Sequence, residues 1–341
     1  MQYFEQRFIN NLNEDGDIEI RGNRWNRYEV LERMDPDAKT ELFENWVEQA
    51  VALAKERTRE FLLRYRSLQR FQRLTDRWRN GNVIPFVGAG MSIPSGHLPW
   101  AEFLSNLGDE YPEVRDALNP VIEAHNYEEA AQLLFDELGA DVLHEAIANA
   151  MGRHRRRTDG PVNLLPELFT NGAVTTNFDY ILDFIYDAQN QPFTRTYCGQ
   201  DIAHVGAQNA NHPHCLVRLH GEAEISANRV LTRNEYAAAY GERSILQGFL
   251  GQLIGLRSLL FLGCSLHTDR TYSALHSIRQ ANAVEPVPHY AILPFPGERQ
   301  VRQRREFLSQ AAIHPIYYPP ETHDDSIEDL LITLHAGGLD D

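Results

Sequence analysis

Lysine is almost missing from this 341-residue chain: only Lys39 and Lys55 occur, and every other basic residue is an arginine. Neither lysine follows a glycine, so no Gly-Lys-Ser/Thr triplet exists and a phosphate-loop ATPase is excluded. Cysteine is scarce too. Cys198, Cys215 and Cys264 have no paired spacing, which argues against a disulfide framework and suits a reducing compartment. No apolar run approaches the roughly 20 residues needed to span a bilayer. Residues 1–13 have no apolar stretch behind a basic start, so a cytoplasmic protein without a signal peptide is expected. Positive charge is in deficit, with 48 acidic against 32 basic side chains and a net charge of −16. Such a chain as a whole is repelled by nucleic acid and by anionic membranes, so neither is expected as a direct partner.

What is present is ample apolar material, 43% of the residues, enough for a sizeable core. Residues 1–80 read as helical. Between Asp37 and Trp78 there is no Gly or Pro, and Phe61, Tyr65, Leu68, Phe71, Leu74 and Trp78 recur at three- and four-residue gaps, the mark of one apolar helix face. Arginines crowd the other positions, which suits a helix packed on its own domain or one used for assembly. Asn80-Gly81-Asn82 ends the pattern.

From Val83 the chain alternates between short continuous apolar runs and helical stretches. Strands are predicted at 83–87, 173–176, 216–219, 259–262, 289–293 and 316–318. Helices are predicted at 100–107, 127–138, 180–189, 244–254, 271–281 and 298–311, with a last one at 326–334. Repeated strand–helix units imply an α/β fold with a doubly wound, mostly parallel, Rossmann-like sheet, whose ligands bind at the carboxyl ends of the strands. The expected organisation is a helical N-terminal region over 1–80, an α/β domain over 81–322 with a helical insertion at about 108–165, and a C-terminal helix with an acidic tail over 323–341.

Polar motifs follow four of these runs directly. Val83-Ile84-Pro85-Phe86-Val87 breaks into Gly88-Ala89-Gly90-Met91-Ser92, whose glycines allow a sharp turn and close approach to a ligand. Exposed N–H groups there would suit a pyrophosphate. Gly88 and Gly90 fit the first two places of the dinucleotide fingerprint, but Ile93 stands at the third, so a hydride-transferring dehydrogenase ranks last. The other motifs are Thr175-Thr176-Asn177-Phe178-Asp179, Leu219-His220-Gly221 and Gly263-Cys264-Ser265. One such group alone is commonly a cap or turn residue. Four behind buried-type strands point to one site. His212-Pro213-His214-Cys215 is too cramped for a metal site, and no zinc is expected.

In order, Gly88-Ala89-Gly90-Met91-Ser92, Gly96, Pro99, Asn177, Asp179, His220-Gly221 and Gly263-Cys264-Ser265 resemble the motifs of the sirtuin superfamily. Leu98-Pro99-Trp100-Ala101-Glu102-Phe103, Thr-Thr-Asn-x-Asp, Leu-His-Gly and Leu231-Thr232-Arg233-Asn234-Glu235-Tyr236 bring the resemblance closer to its bacterial branch of NAD-hydrolysing anti-phage effectors. It covers about residues 80–320. Departures from the protein-deacylating sirtuins are clear: there are no Cys-x-x-Cys pairs, Trp100-Ala101-Glu102 replaces the acidic–Phe–Arg triplet, and Thr176 stands in place of Gln. The resemblance implies a sirtuin-type NAD+ glycohydrolase with NAD as substrate. By it, Gly88, Ala89, Gly90, Ser92, Thr176, Gly263 and Ser265 would bind the dinucleotide. Asn177 would bind a ribose hydroxyl and orient water, Asp179 would fix the nicotinamide or hold Asn177, and His220 would be a general base titrating near neutrality. The resemblance also implies a homo-oligomer held off until triggered, with a partner such as a HerA-like ring ATPase. A non-catalytic NAD or ADP-ribose-binding scaffold and an NAD-dependent deacylase or ADP-ribosyltransferase remain as alternatives.

Overall fold

The computed structural model of the protein describes residues 2–199, 202, 214–227, 229–240, 245–254, 257–267, 270–281 and 287–339; His212, Pro213, the first residue of the helix expected at 244–254 and the last two of the tail expected at 323–341 lie outside them. A small antiparallel hairpin joins β1 (Ile18–Ile20) to β2 (Asn23–Trp25). The main sheet comprises β3 (Val83–Val87), β4 (Gly172–Thr175), β5 (Arg195–Cys198), β6 (Cys215–Arg218), β7 (Ser258–Leu262), β8 (His289–Pro294) and β9 (Ile313–Tyr318). Its order is β5-β6-β4-β3-β7-β8-β9, and every pairing is parallel. This is the expected Rossmann-like α/β sheet.

The strand residues of β3, β4, β6 and β7 are all buried, as befits strands covered on both faces. Pro85 is accommodated inside β3 because the pairing with β4 begins only at Phe86↔Val174, so the missing N–H leaves no gap in that ladder. β5 was not foreseen. It is a half-exposed edge strand, Arg-Thr-Tyr-Cys, whose polar sequence lacks the apolar run that marks the others. The chain runs from β3 to β4 and on to the edge strand β5, returns to β6 between β5 and β4, then crosses to β7 on the other side of β3. That reversal opens the crevice where this architecture places ligands.

The expected single helix over 37–78 is two helices, Pro36–Arg64 and Leu68–Arg79. Arg66 adopts a left-handed conformation (φ 53°) between them. Ser67 N–H bonds to Leu62 O at 2.8 Å and Arg66 N–H to Leu63 O at 3.1 Å, closing the first helix without a glycine. The arginines of the second helix are staples. Arg77 donates to Ser258 Oγ, Arg70 to Pro315 O and Arg79 to Gly337 O. On the outer face, the His323–His335 helix packs along Pro36–Arg64, with Arg57 held by Asp329 at 2.6 and 2.7 Å.

Four helices, Trp100–Glu110, Pro112–Glu123, Tyr127–Leu138 and Ala140–Met151, form a separate apolar cluster. Its partners from the sheet are Phe178, Tyr180, Ala223 and Leu231, residues of the loops leaving β4 and β6. This helical layer therefore lies over the carboxyl ends of those two strands.

Candidate active site

The loops after β3 and β7 touch backbone to backbone. Gly88 N–H donates to Leu262 O at 2.8 Å, and Gly90 N–H to Gly263 O at 2.9 Å. A Cβ on Gly88 would stand 2.6 Å from Gly263 O, and one on Gly263 (φ +66°) would stand 2.4 Å from Met91 N. Glycine is thus demanded by the neighbouring loop. The expectation of exposed N–H groups at this turn needs correction, because the amides of Gly88 and Gly90 are spent on the β7 loop. Among the described residues Ala89 N–H, at the start of the short 3-10 turn Ala89–Ser92, has no hydrogen-bond partner and is the donor that remains. On the facing loop Ser265 is exposed, and its carbonyl accepts from Arg304.

The loop after β4 is tied to this turn. Thr175 Oγ1 donates to Val87 O at 2.8 Å and accepts from Asn177 N–H at 3.0 Å. Asn177 Nδ2 then donates to Ser92 Oγ at 3.1 Å, and Ser92 Oγ donates to Asp179 Oδ2 at 2.8 Å. Asp179 Oδ1 accepts from Ile181 N–H at 3.0 Å, at the head of the Ile181–Ala188 helix. Asn177, Ser92 and Asp179 are all buried and form one polar chain. Ser92 lies inside that chain, with Asn177 and Asp179 as its partners. Thr176, between Thr175 and Asn177, is half-buried.

Register brings His220 alongside. Thr175 of β4 pairs with Arg218 of β6, so Asn177 and His220 each lie two residues beyond paired positions on adjacent strands. His220 is followed by Gly221 at φ +86°, which turns the chain away from the sheet. The imidazole is enclosed: Nε2 lies 2.7 Å from the Tyr240 hydroxyl, and Nδ1 lies 3.2 Å from that of Tyr236. These tyrosines lie one turn apart on the helix Arg233–Ala239 and its C-cap, whose start is fixed by a reciprocal Thr232–Glu235 capping box. Burial pushes the His220 pKa down to about 3. The expectation that it titrates near neutrality is therefore corrected, since burial strips the charged imidazolium of its hydration and no carboxylate among the described residues is placed to offset that.

Two site residues escaped the sequence reading. Arg218, the last residue of β6, is 1% exposed and grips the Asn177–Asp179 loop from beneath. His97, in the link between the turn and the Trp100–Glu110 helix, is buried with no hydrogen-bond partner for Nδ1 among the described residues. Burial lowers its pKa, against a smaller opposing pull from Asp179. Gly96 and Pro99 on either side of it belong to the motif order, but a histidine between them carries no pattern of its own. Two clefts, of about 210 and 450 Å³, lie elsewhere, along Arg7, Arg57 and Glu328 on the outer helical face. Among the described residues no cluster of three or more His, Cys, Asp or Glu is placed to hold a metal ion, and no helix is long and apolar enough to cross a membrane.

Comparison with known proteins matches the family described as SIR2-like domain to residues 171–316, a span that holds Asn177, Asp179, His220, Gly263 and Ser265. The chain is 23% identical over 227 residues to the NAD(+) hydrolase ThsA of Enterococcus faecium, covering 65% of this chain and 45% of that protein. It is 22% identical over 221 residues to the protein of the same name from Acinetobacter baumannii, covering 64% and 44%. With Defense-associated sirtuin 2 of Bacillus subtilis it shares 24% identity over 214 residues, covering 61% and 20%. The chain thus spans less than half the length of each of these relatives.

Proposed function

We propose that this chain, a sirtuin-like protein by the SIR2-like domain at residues 171–316, hydrolyses NAD+ to nicotinamide and ADP-ribose. The observation that carries this reading is the hydrogen-bonded chain Asn177–Ser92–Asp179 at the sheet's topological switch point, with His220 in step on the next strand. The names of the relatives support it: two are NAD(+) hydrolases and one a defence-associated sirtuin.

The chemistry asks little of a general acid. When the C1′–N bond of the nicotinamide riboside breaks, its electron pair neutralises the pyridinium, so the leaving group departs as a neutral base. The ribose passes through an oxocarbenium-like state, and water forms the new C1′–O bond and releases one proton. The protein has to fix the dinucleotide, order one water and hold bulk solvent out. Asn177 commits Nδ2 to Ser92, and Oδ1 remains to accept from a ribose hydroxyl or the water. Asp179, anchored at Oδ1 by Ile181 N–H, keeps that amide oriented through Ser92. His220 takes the water's proton once a tyrosine hydroxyl yields its place at the ring. Ala89 N–H, with Gly263 and Ser265 on the facing loop, receives the diphosphate side.

In this proposal the enzyme is a regulated, NAD-depleting effector of anti-phage defence. It acts as a homo-oligomer with a partner such as a HerA-like ring ATPase. The enclosure of His220 also suits the second reading, a non-catalytic NAD or ADP-ribose-binding scaffold. One experiment separates them: purified protein is incubated with NAD and free nicotinamide is followed by chromatography. Release that falls about a hundredfold in both Asn177→Ala and His220→Ala supports the hydrolase. NAD binding without release in the wild type supports the scaffold.

A further inference from the structure

Arg218 is the largest fully buried side chain among the described residues, and it occupies a strand otherwise made of Cys215, Leu216 and Val217. A guanidinium in that setting is costly unless each of its hydrogen-bonding groups is used. Here Nη1 donates to the carbonyl of Asp179 at 2.7 Å and reaches that of Asn177 at 3.3 Å. Nη2 donates to the Asp183 carboxylate, and the guanidinium carbon stands 5.0 Å from the centre of the Tyr180 ring. Only Nε lacks a partner among the described residues. All these contacts converge on residues 177–183, where the chain leaves β4 and enters the Ile181–Ala188 helix.

That segment needs such an anchor. Beyond Thr175 the backbone leaves the sheet, and the carbonyls of 177 and 179 have no strand opposite them. An apolar residue at position 218 would leave both without a buried donor. Arg218 supplies the donors from the neighbouring strand, two residues before His220. It therefore fixes the Asn177 loop and the His220 turn in one frame. Asp183 balances the charge and, through the first turn of its helix, closes the loop on its far side.

We propose that Arg218, with Asp183 as its counter-ion, is a positioning residue: it sets the Asn177–Asp179 loop in its working geometry and acts on the reaction through Asn177 without touching the substrate. Its catalytic consequence rests on the hydrolase reading above; its structural part does not. A misplacement of the loop by about 1 Å is enough to lower turnover by about a hundredfold while leaving most dinucleotide contacts in place.

The test uses Arg218→Met, Arg218→Lys and Asp183→Asn, read by amide hydrogen exchange and by steady-state kinetics. In Arg218→Met the amides of Asn177 and Ile181 exchange at least about tenfold faster, while those of Val83–Val87 keep their wild-type protection. Turnover falls about a hundredfold with KM within about threefold, and Arg218→Lys recovers part of both effects. If Arg218→Met does not fold, Asp183→Asn and Arg218→Lys decide by the same exchange measurement. Unchanged protection at 177–181 in every folded variant overturns the proposal, as does wild-type turnover in Arg218→Met. If the wild type itself releases no nicotinamide, the hydrolase reading fails, and the exchange data still decide whether Arg218 anchors the loop.

Discussion

Ser92 and Asp179, 87 positions apart, share a buried hydrogen bond in which the Ser92 hydroxyl donates to Asp179 Oδ2 at 2.8 Å. Ser92 receives the Asn177 amide at the same oxygen, so one hydroxyl joins the loop after β3 to the loop after β4. Ser92→Ala removes both bonds and leaves a carboxylate oxygen and an amide donor without their partner. The expected cost is about 1–3 kcal/mol in urea unfolding. NAD cleavage should fall by at least about tenfold, since Asn177 loses its orientation. Ser92→Ala with wild-type turnover would remove the serine from the polar chain's function.

The position of His220 predicts a spectroscopic outcome. Burial, with no other cause, holds its pKa at about 3. Tyr240→Ala admits water to the ring, so the pKa should rise toward the ordinary value of about 6.5. Tyr240→Phe keeps the ring covered and should leave it low. Histidine resonances followed by NMR from pH 4 to 8 report both. An imidazole that stays untitrated down to pH 4 in Tyr240→Ala would show that the tyrosine is not what keeps solvent away.

Acid should destabilise the protein well above the carboxylate range. His220 and His289 are buried, and both have folded pKa values lowered to about 3. His289 Nδ1 also accepts Leu259 N–H at 3.1 Å across β7 and β8, a bond that protonation of that nitrogen abolishes. Because the folded pKa lies below the unfolded one, the unfolded chain binds more protons between them. Stability is then full above about pH 6.5 and is lost as pH falls toward 3, by about 2 kcal/mol per histidine at pH 5. Urea midpoints at pH 7.5 and 5.0 measure the loss, and His289→Gln should remove its own share of the pH dependence.

The contact between the β3 and β7 loops makes a steric prediction with an internal control. Gly297 has φ +86° and nothing within 4 Å of an added Cβ, so Gly297→Ala should cost only backbone strain, about 1–2 kcal/mol. Gly263→Ala adds a clash 2.4 Å from Met91 N, and Gly88→Ala one 2.6 Å from Gly263 O. Both should lower the melting temperature well beyond the Gly297→Ala value. Equal losses at positions 263 and 297 would mean that the loops are not in contact.

The sheet was legible because six of its strands are continuous apolar runs, a pattern only buried strands need. β5 was not, since an edge strand with exposed Arg195 and Thr196 obeys no such rule. The break at Arg66 was hidden for a related reason: a left-handed arginine carries no glycine to announce it. Within the site, Asn177, Asp179 and His220 stood out as polar punctuation behind apolar strands. Their states did not. The tyrosines that cover His220 lie 16 and 20 residues later. Arg218 reads as a lone charge in a strand until the Thr175↔Arg218 pairing places it beneath the neighbouring loop.

The hydroxyls of Thr58 and Thr333 meet at 3.1 Å across 275 positions, on the same face where Arg57 grips Asp329. The Pro36–Arg64 helix is thus synthesised more than 250 residues before the His323–His335 helix that packs along it. Ordering contacts of such separation is slow. Until the later helix is made, the flank it covers stays bare, so the outer face forms only after the sheet strands that lie between the two helices in the chain have been made.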